Sequence, residues 1–265
     1  MDGRGKPFMA KIRYKFITFR EYETEAFAEY LEYKAAMGWF LTNIHQNGIL
    51  RFEKGEPKKL NFCVAVLPGS SGLDSADNWN ARQFREYCEE AGWKLQYGGT
   101  LWQIFYTEDE ALVPIETDPE IRLENQRRIT FSWGKVLGQL FIIGLWLWML
   151  SSFIKEPGIR FSSYENIILI VFYAILILIM TGRLAGPALW FWKAERSLRK
   201  TDKFPVTTWN QVRFRNIAGG IIIIIMLAFV ICSGGKSRAI PITLLLILFI
   251  MFALYCGKIM EMVRE

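Results

Sequence analysis

Hydrophobic residues are arranged in two different ways along this chain of 265 residues. In residues 11–110 they alternate with polar positions or recur every third or fourth position, which predicts strands and amphipathic helices. The second half instead contains four continuous apolar runs, at 133–154, 166–181, 217–232 and 240–256. A helix that crosses a bilayer needs about 20 mostly apolar residues. The pattern therefore predicts a polar head followed by four helical membrane spans.

The head itself is predicted to contain the same motif twice. A strand at 12–18 precedes a helix that stops at Gly38, and two strands follow around the hairpin signal Asn47-Gly48. The order then recurs, with a strand at 60–67, a helix at 80–91 that stops at Gly92, and strands at 93–97 and 101–106. The helix-to-strand junctions also match, since Met-Gly-Trp at 37–39 corresponds to Ala-Gly-Trp at 91–93. We interpret this as an internal duplication.

Each repeat is thus a βαββ unit, and one such unit cannot cover its own sheet. We expect an α+β cytoplasmic domain in which the tandem units form an antiparallel sheet with the two helices on one face. The other face would be available for a ligand, a partner or a second head. The predicted organisation is a polar tail (1–10), the tandem βαββ domain (11–110), a linker (111–132), a four-helix transmembrane domain (133–257) with a basic cytoplasmic segment (183–216), and a tail (258–265).

Charge separates the two halves and sets the expected orientation. Residues 1–130 carry 17 Lys and Arg against 20 Asp and Glu, a net charge of −3, whereas residues 131–265 carry 15 against 6, a net charge of +9. The excess lies beside the apolar runs, so it indicates membrane topology rather than nucleic-acid binding. The basic side is cytoplasmic, which places both termini inside. The start has no signal peptide, and Met1 or Met9 could be the native first residue.

Three sets of residues are candidates for a binding or packing role. Trp39 and Trp93 could stack on a ligand, or each could pack as a staple where a helix meets a strand. The segment 188–200 could lie in the membrane interface as an amphipathic basic helix, or it could simply extend the second span. Gly134 and Gly138 form a GxxxG pattern that could support close helix packing. The membrane-interface candidates are Trp190, Trp192, Lys193, Arg196, Arg199 and Lys200.

Catalytic chemistry is poorly represented. His45 is the only histidine, which disfavours a histidine-based zinc site or a Ser-His-Asp triad. The phosphate-binding, metalloprotease, esterase and dinucleotide motifs are absent. The four cysteines form no CxxC pair, so reduced, packed cysteines are expected. We therefore predict no catalytic residue, no metal and no cofactor.

Three stretches carry a resemblance to a known family. They read YKFITFREYETEAFAEYLEYKAAMGWFL, RFEKGEPKKLNFCVAVLP and EYCEEAGWKLQYGGTLWQIFYTED. Together they resemble the bacterial domain-of-unknown-function 2812 family over roughly residues 11–108. That resemblance implies a soluble N-terminal domain before membrane spans in the inner membrane, and association with PadR-type transcriptional regulators. A looser similarity is to gyrase-inhibitor-like effector-binding domains, which implies a sheet cleft for small, apolar or cationic molecules.

The sequence favours a multi-pass membrane protein whose cytoplasmic head senses a small molecule or binds a protein partner such as a PadR-type regulator. The bilayer would be its second partner, and a homodimer could form through the GxxxG faces. The alternative is a small four-span transport or immunity protein that moves or neutralises amphiphilic compounds. In that case the spans would protect the cell without the head.

Overall fold

The computed structural model describes residues 11–45, 48–67, 75–113, 115, 118–155, 164–201 and 204–233. Their contacts divide the chain into two compact units. The first, here called the head, comprises the residues up to Asp118 together with Val206–Asn216. The second, here called the helical unit, comprises Pro119–Pro205 and the chain from Ile217 onward.

The head confirms the tandem βαββ order. In each half a strand is followed by a helix and two more strands, and the strand that comes last in the chain lies in the middle of its sheet. All neighbouring strands are antiparallel. The elements are β1 (Ile12–Phe16), α1 (Thr24–Ala36), β2 (Trp39–His45), β3 (Ile49–Lys54), β4 (Asn61–Val66), α2 (Trp79–Glu90), β5 (Lys94–Gly98) and β6 (Trp102–Thr107).

The two repeats agree in local detail as well. Gly38 and Gly92 follow α1 and α2 with φ of 73° and 93°, the left-handed conformation that commonly ends a helix. A tryptophan comes next in both, and the strand that follows has a bulge after Leu41 in β2 and after Leu95 in β5. These shared irregularities support the internal duplication.

The prediction of one sheet with both helices on the same face is wrong. The described head contains two three-stranded sheets, ordered β1-β3-β2 and β4-β6-β5. Their edge strands β2 and β5 meet through side chains: Gln96 donates a hydrogen bond to the Leu41 carbonyl, and Tyr97 donates one to Ile44. Because both edges carry a bulge, they lack the regular spacing of N–H and C=O groups that a shared ladder needs.

The helices cover opposite faces of the second sheet. Phe62, Val64 and Ile104 share the main core with α1, whereas Phe105 packs with Cys88 of α2. Successive strand residues point to opposite faces, so Ile104 and Phe105 mark the two sides of β6. In the described part of the chain, each face of the second sheet therefore packs against a helix. The main core is the larger one and also includes Trp209 and Val212.

The helical unit is built from long helices. They are α3 (Pro119–Thr130), α4 (Trp133–Lys155), α5 (Tyr164–Thr201) and α6 (Trp209–Ser233), the last beginning in the head. Two helices, Trp133–Lys155 and Ile170–Thr201, are long and apolar enough to cross a membrane. The third predicted span falls in α6, and the fourth span and the tail (258–265) lie outside the described residues, as does the N-terminal tail (1–10).

Two local features of this unit concern its helices. α5 continues through Pro187, so Gly186-Pro187 does not end the helix. The linker 111–132 contains α3, and Phe131, which follows it, packs on Phe191 of α5 with ring centroids 5.7 Å apart. Arg127 of α3 also forms an ion pair with Glu195 of α5.

Candidate functional site

A cleft of about 360 Å³ opens beside the junction of β2 and β5 in the head. Its apolar side chains are Phe40, Leu60 and Tyr106, and its polar ones are Glu56, Lys58, Gln96 and Glu108. Binding pockets commonly have this mixture of apolar walls and a few convergent polar groups. The two repeats both contribute, because Phe40 comes from β2 while Gln96 and Tyr106 come from β5 and β6.

The charges around this cleft favour a cation. Two carboxylates, Glu56 and Glu108, stand against one ammonium, Lys58. Lys58 pairs with Glu108 at 3.5 Å, and both side chains are about half exposed, at 54% and 57%. Exposed pairs of this kind are weak, so a ligand cation can compete for Glu108. The cleft therefore suits a molecule that joins a positive charge to an apolar or aromatic body.

One further carboxylate, that of Glu32, joins α1 to β4. Glu32 of α1 accepts a hydrogen bond from the Phe62 N–H of β4 at 3.1 Å. Burial raises the pKa of Glu32, and the nearby charge of Glu29 adds to that rise, while the Phe62 N–H opposes it. The bond ties α1 to strand β4 of the second sheet. Leu60, the residue before β4, lines the cleft.

The structure places Trp39 and Trp93 in two separate cores. Trp39 is 8% exposed and belongs to the main core, with the Arg13 guanidinium 4.4 Å and the Lys54 ammonium 5.1 Å from its ring. Trp93 is 5% exposed and packs with Cys88 and Phe105. Its Nε1 donates to the Val113 carbonyl at 3.2 Å. Neither lines the cleft, and both side chains are buried.

The basic residues of the interface prediction lie on α5, in continuation of its apolar part. Trp190 packs edge-on against Phe191 and Phe204, with ring centroids 4.9 Å and 6.1 Å away. Trp192 is 55% exposed, and the Arg196 guanidinium lies 5.4 Å from its ring. Lys193, Arg199 and Lys200 are also exposed. A single helix over Tyr164–Thr201 corresponds to the alternative in which this segment extends the second predicted span.

Gly134 and Gly138 face open space. No heavy atom within the described part of the chain lies within 4 Å of a Cβ built on either residue. Packing of α4 against α5 uses large side chains instead: Trp146 and Phe153 pack on Tyr173, and Gln139 donates to the Met180 carbonyl at 3.2 Å. In the described chain the GxxxG pattern therefore does not support contact between these two helices.

Sequence reasoning missed the segment 206–216, which it assigned to a basic cytoplasmic loop. Trp209 is 8% exposed and its ring lies 4.5 Å from that of Tyr30 and 5.8 Å from that of Phe19. Val212 is fully buried in the same core. The helical spacing of these two apolar residues, three apart, could have indicated a buried helix face. It was missed because the segment was interpreted by its charge, which the neighbouring arginines dominate.

The described residues offer few groups for metal or thiol chemistry. Among the described residues, no group of three His, Cys, Asp or Glu side chains is placed to hold a metal ion. His45 is exposed on β2, with its ring centroid 6.3 Å from that of Tyr14. Neither Cys63 nor Cys88 forms a disulfide with another described cysteine.

Comparison with known families confirms the resemblance. Residues 21–137 match a family described as "Protein of unknown function (DUF2812)". The match begins inside the first repeat and runs through α3 into the start of α4. It therefore both starts and ends later in the chain than the 11–108 expected from the motifs. No curated protein and no solved structure matches the chain.

Proposed function

We propose that this chain, whose residues 21–137 match a family of unknown function, is a membrane-anchored binding protein without catalytic activity. Its head would bind a small cationic amphiphile, or a partner presenting such a group, in the cleft beside β2 and β5. The observation that carries the proposal is the cleft of about 360 Å³ between the repeats, with aromatic walls and an excess of carboxylates. The fold alone would not indicate a function.

The apolar walls supply affinity and the carboxylates supply selection. Phe40 and Tyr106 offer aromatic surface to an apolar or cationic group. Glu56 and Glu108 favour a positive charge over a negative one of the same shape. Gln96 provides a neutral donor and acceptor at the same place, although its amide nitrogen already binds the Leu41 carbonyl.

Membrane anchoring is the second part of the proposal. We infer that α4, α5, α6 and the apolar run 240–256 are the four spans of an inner-membrane protein, with the head and both termini in the cytoplasm. The exposed basic side chains at the end of α5 would then lie on the cytoplasmic side. A PadR-type regulator is the protein partner that the family resemblance suggests.

A binding titration tests the cleft. Full-length protein in detergent micelles is titrated with tetraphenylphosphonium, a cation with four aromatic rings, and with tetraphenylborate, an anion of nearly the same shape. We expect saturable binding of the cation alone. The double variant Glu56→Gln, Glu108→Gln should bind the cation about twofold to thirtyfold more weakly, because each of the two exposed charge pairs contributes about 0.2–1 kcal/mol.

Glu86→Gln is the matched control, since Glu86 is exposed on α2 of the head and is not among the side chains that line the cleft. Equal affinity in the wild type, the double variant and the control would mean that the cation partitions into micelles rather than into the cleft. Tight binding of the anion would contradict the proposed charge selection.

A further inference from the structure

The second chain segment of the head, Val206–Asn216, reaches its main core from far along the sequence. We propose that this segment, here called the clasp, is a built-in docking ligand for the rest of the head, residues up to Asp118. It would hold that part of the head to α6 without help from the linker. The head would then have two attachments, one covalent through residues 115–119 and one non-covalent through the clasp.

Buried apolar contacts form the centre of the clasp. Trp209 is 8% exposed, and its ring packs in a tilted arrangement on that of Tyr30, with centroids 4.5 Å apart, and on that of Phe19, with centroids 5.8 Å apart. Val212 follows three residues later, on the same side of α6, and has no exposed surface. A buried tryptophan with a neighbouring aliphatic residue is the usual anchor of a helix that docks in a groove.

The polar contacts around this centre are directional. The Trp209 N–H donates to a Glu29 carboxylate oxygen of α1 at 2.8 Å, which satisfies one of the free donors at the start of α6. A carboxylate is also favoured there by the positive end of the helix dipole. Glu29 of α1 therefore binds the N-terminal end of α6 through both a hydrogen bond and the helix dipole.

A second carboxylate holds the other end of the clasp. Arg215 forms an ion pair with Glu23, whose side chain is almost fully buried, at 2% exposure. The other Glu23 oxygen accepts from the Arg20 N–H at 2.8 Å. Arg215 also donates to the Thr18 carbonyl at 2.9 Å, and the Asn216 amide reaches the same oxygen at 3.4 Å.

The spacing of these residues shows that one face of α6 makes the contacts. Trp209, Val212 and Asn216 recur at three- and four-residue intervals, which places them on one side of a helix. Phe214 lies on another side and is 75% exposed. The chain therefore provides a matched control, a large aromatic residue in the same turn that does not touch the head core.

Cutting the covalent attachment tests the clasp. A protease recognition sequence is inserted between Ile115 and Pro119 of the full chain, which carries an affinity tag after residue 265 and is kept in detergent micelles. After cleavage, we expect the head to remain bound to the tagged piece on the affinity resin. Arg215→Gln and Trp209→Ala should release it about tenfold faster or more, as loss of an interface anchor does, and Phe214→Ala should behave as the wild type.

Release of the wild-type head immediately after cleavage would overturn the proposal. So would equal retention in all variants, because the hold would then lie elsewhere. Since Trp209→Ala removes part of a core, hydrogen exchange of the strand amides is measured on each full-length variant before cleavage. If Trp209→Ala proves unfolded, Glu29→Gln decides the result, because it preserves side-chain size and removes only the charge that faces the Trp209 backbone N–H.

Discussion

Gly38 shows how one residue fixes the junction of helix and strand. Its φ is 73°, and a Cβ added there would lie 2.6 Å from the Gly55 carbonyl oxygen. A side chain would therefore meet both an unfavourable backbone conformation and a backbone atom that cannot easily move.

Gly38→Ala should accordingly lower the free energy of unfolding by about 1–3 kcal/mol, the usual cost of a strained non-glycine residue. Thermal unfolding followed by circular dichroism would measure the loss as a lower Tm. Gly134→Ala is the control, because Gly134 lies in α4 with open space around it. Similar Tm values for the two variants would show that the strain at Gly38 is relieved by local movement.

Glu32 adds a pH dependence at the same scale. Burial, with help from Glu29, raises the pKa of its carboxyl above the ordinary value of 4.5. Between 4.5 and the raised pKa, the folded state binds more protons than the unfolded state, so this group's contribution to stability falls as the pH rises through that window.

Glu32→Gln should remove this contribution while its side-chain oxygen can still accept the Phe62 N–H. We expect the difference in stability between variant and wild type to favour the variant increasingly as the pH is raised from 4.5 toward neutrality. Urea unfolding at several pH values would measure it. A difference that does not change with pH would mean that Glu32 titrates as an exposed carboxyl.

At the scale of elements, the meeting of β2 and β5 depends on side chains. Gln96 is the extra residue in the β5 bulge, and its amide binds the Leu41 carbonyl of the other sheet. Gln96→Leu should therefore destabilise the head by about 1 kcal/mol, the net value of a typical hydrogen bond. Urea unfolding measures it, with Gln83→Leu on the exposed side of α2 as the control. Equal effects would indicate that the two sheets do not rely on this bond.

The elements themselves could be predicted from sequence, but their arrangement could not. Alternation and the glycines at 38 and 92 correctly indicated both βαββ units, because strand and helix periods and helix stops are local properties. Whether six strands form one sheet depends on whether β2 and β5 can pair along their edges. A single extra residue in each strand disrupts the regular spacing that such pairing needs. That bulge is formed by pairing with a partner strand and has no distinctive signature in one sequence.

The candidate site shows the same limit. Trp39 and Trp93 were chosen as candidates because they are large aromatics, whereas the cleft is lined by Phe40, the residue after the first of them, and by Glu56, Lys58 and Leu60. Adjacent residues of a strand point to opposite faces, so identifying a strand does not decide which of its side chains line a cleft.

For the whole molecule, the proposed four-span topology makes a directional prediction. A single cysteine at Glu89 in the head or at Arg199 on α5 should react with a membrane-impermeant maleimide in inside-out vesicles and not in spheroplasts. A cysteine at position 156, between the first two predicted spans, should show the reverse. Cys63, Cys88, Cys232 and Cys256 are first replaced by serine. Labelling of the Glu89 and Arg199 cysteines from opposite sides would contradict the topology.

The union of α1 with residues 206–216 also has a consequence for biosynthesis. Glu29 and Trp209 are 180 positions apart, so α1 leaves the ribosome long before its partner is made. At about 5–20 residues per second, that interval lasts roughly 10–40 s. During this time Phe19 and Tyr30 lack the ring that covers them. We therefore expect the newly made head to depend on chaperones until α3, α4 and α5 have been synthesised. Mutations that slow the synthesis or insertion of these helices should increase its degradation.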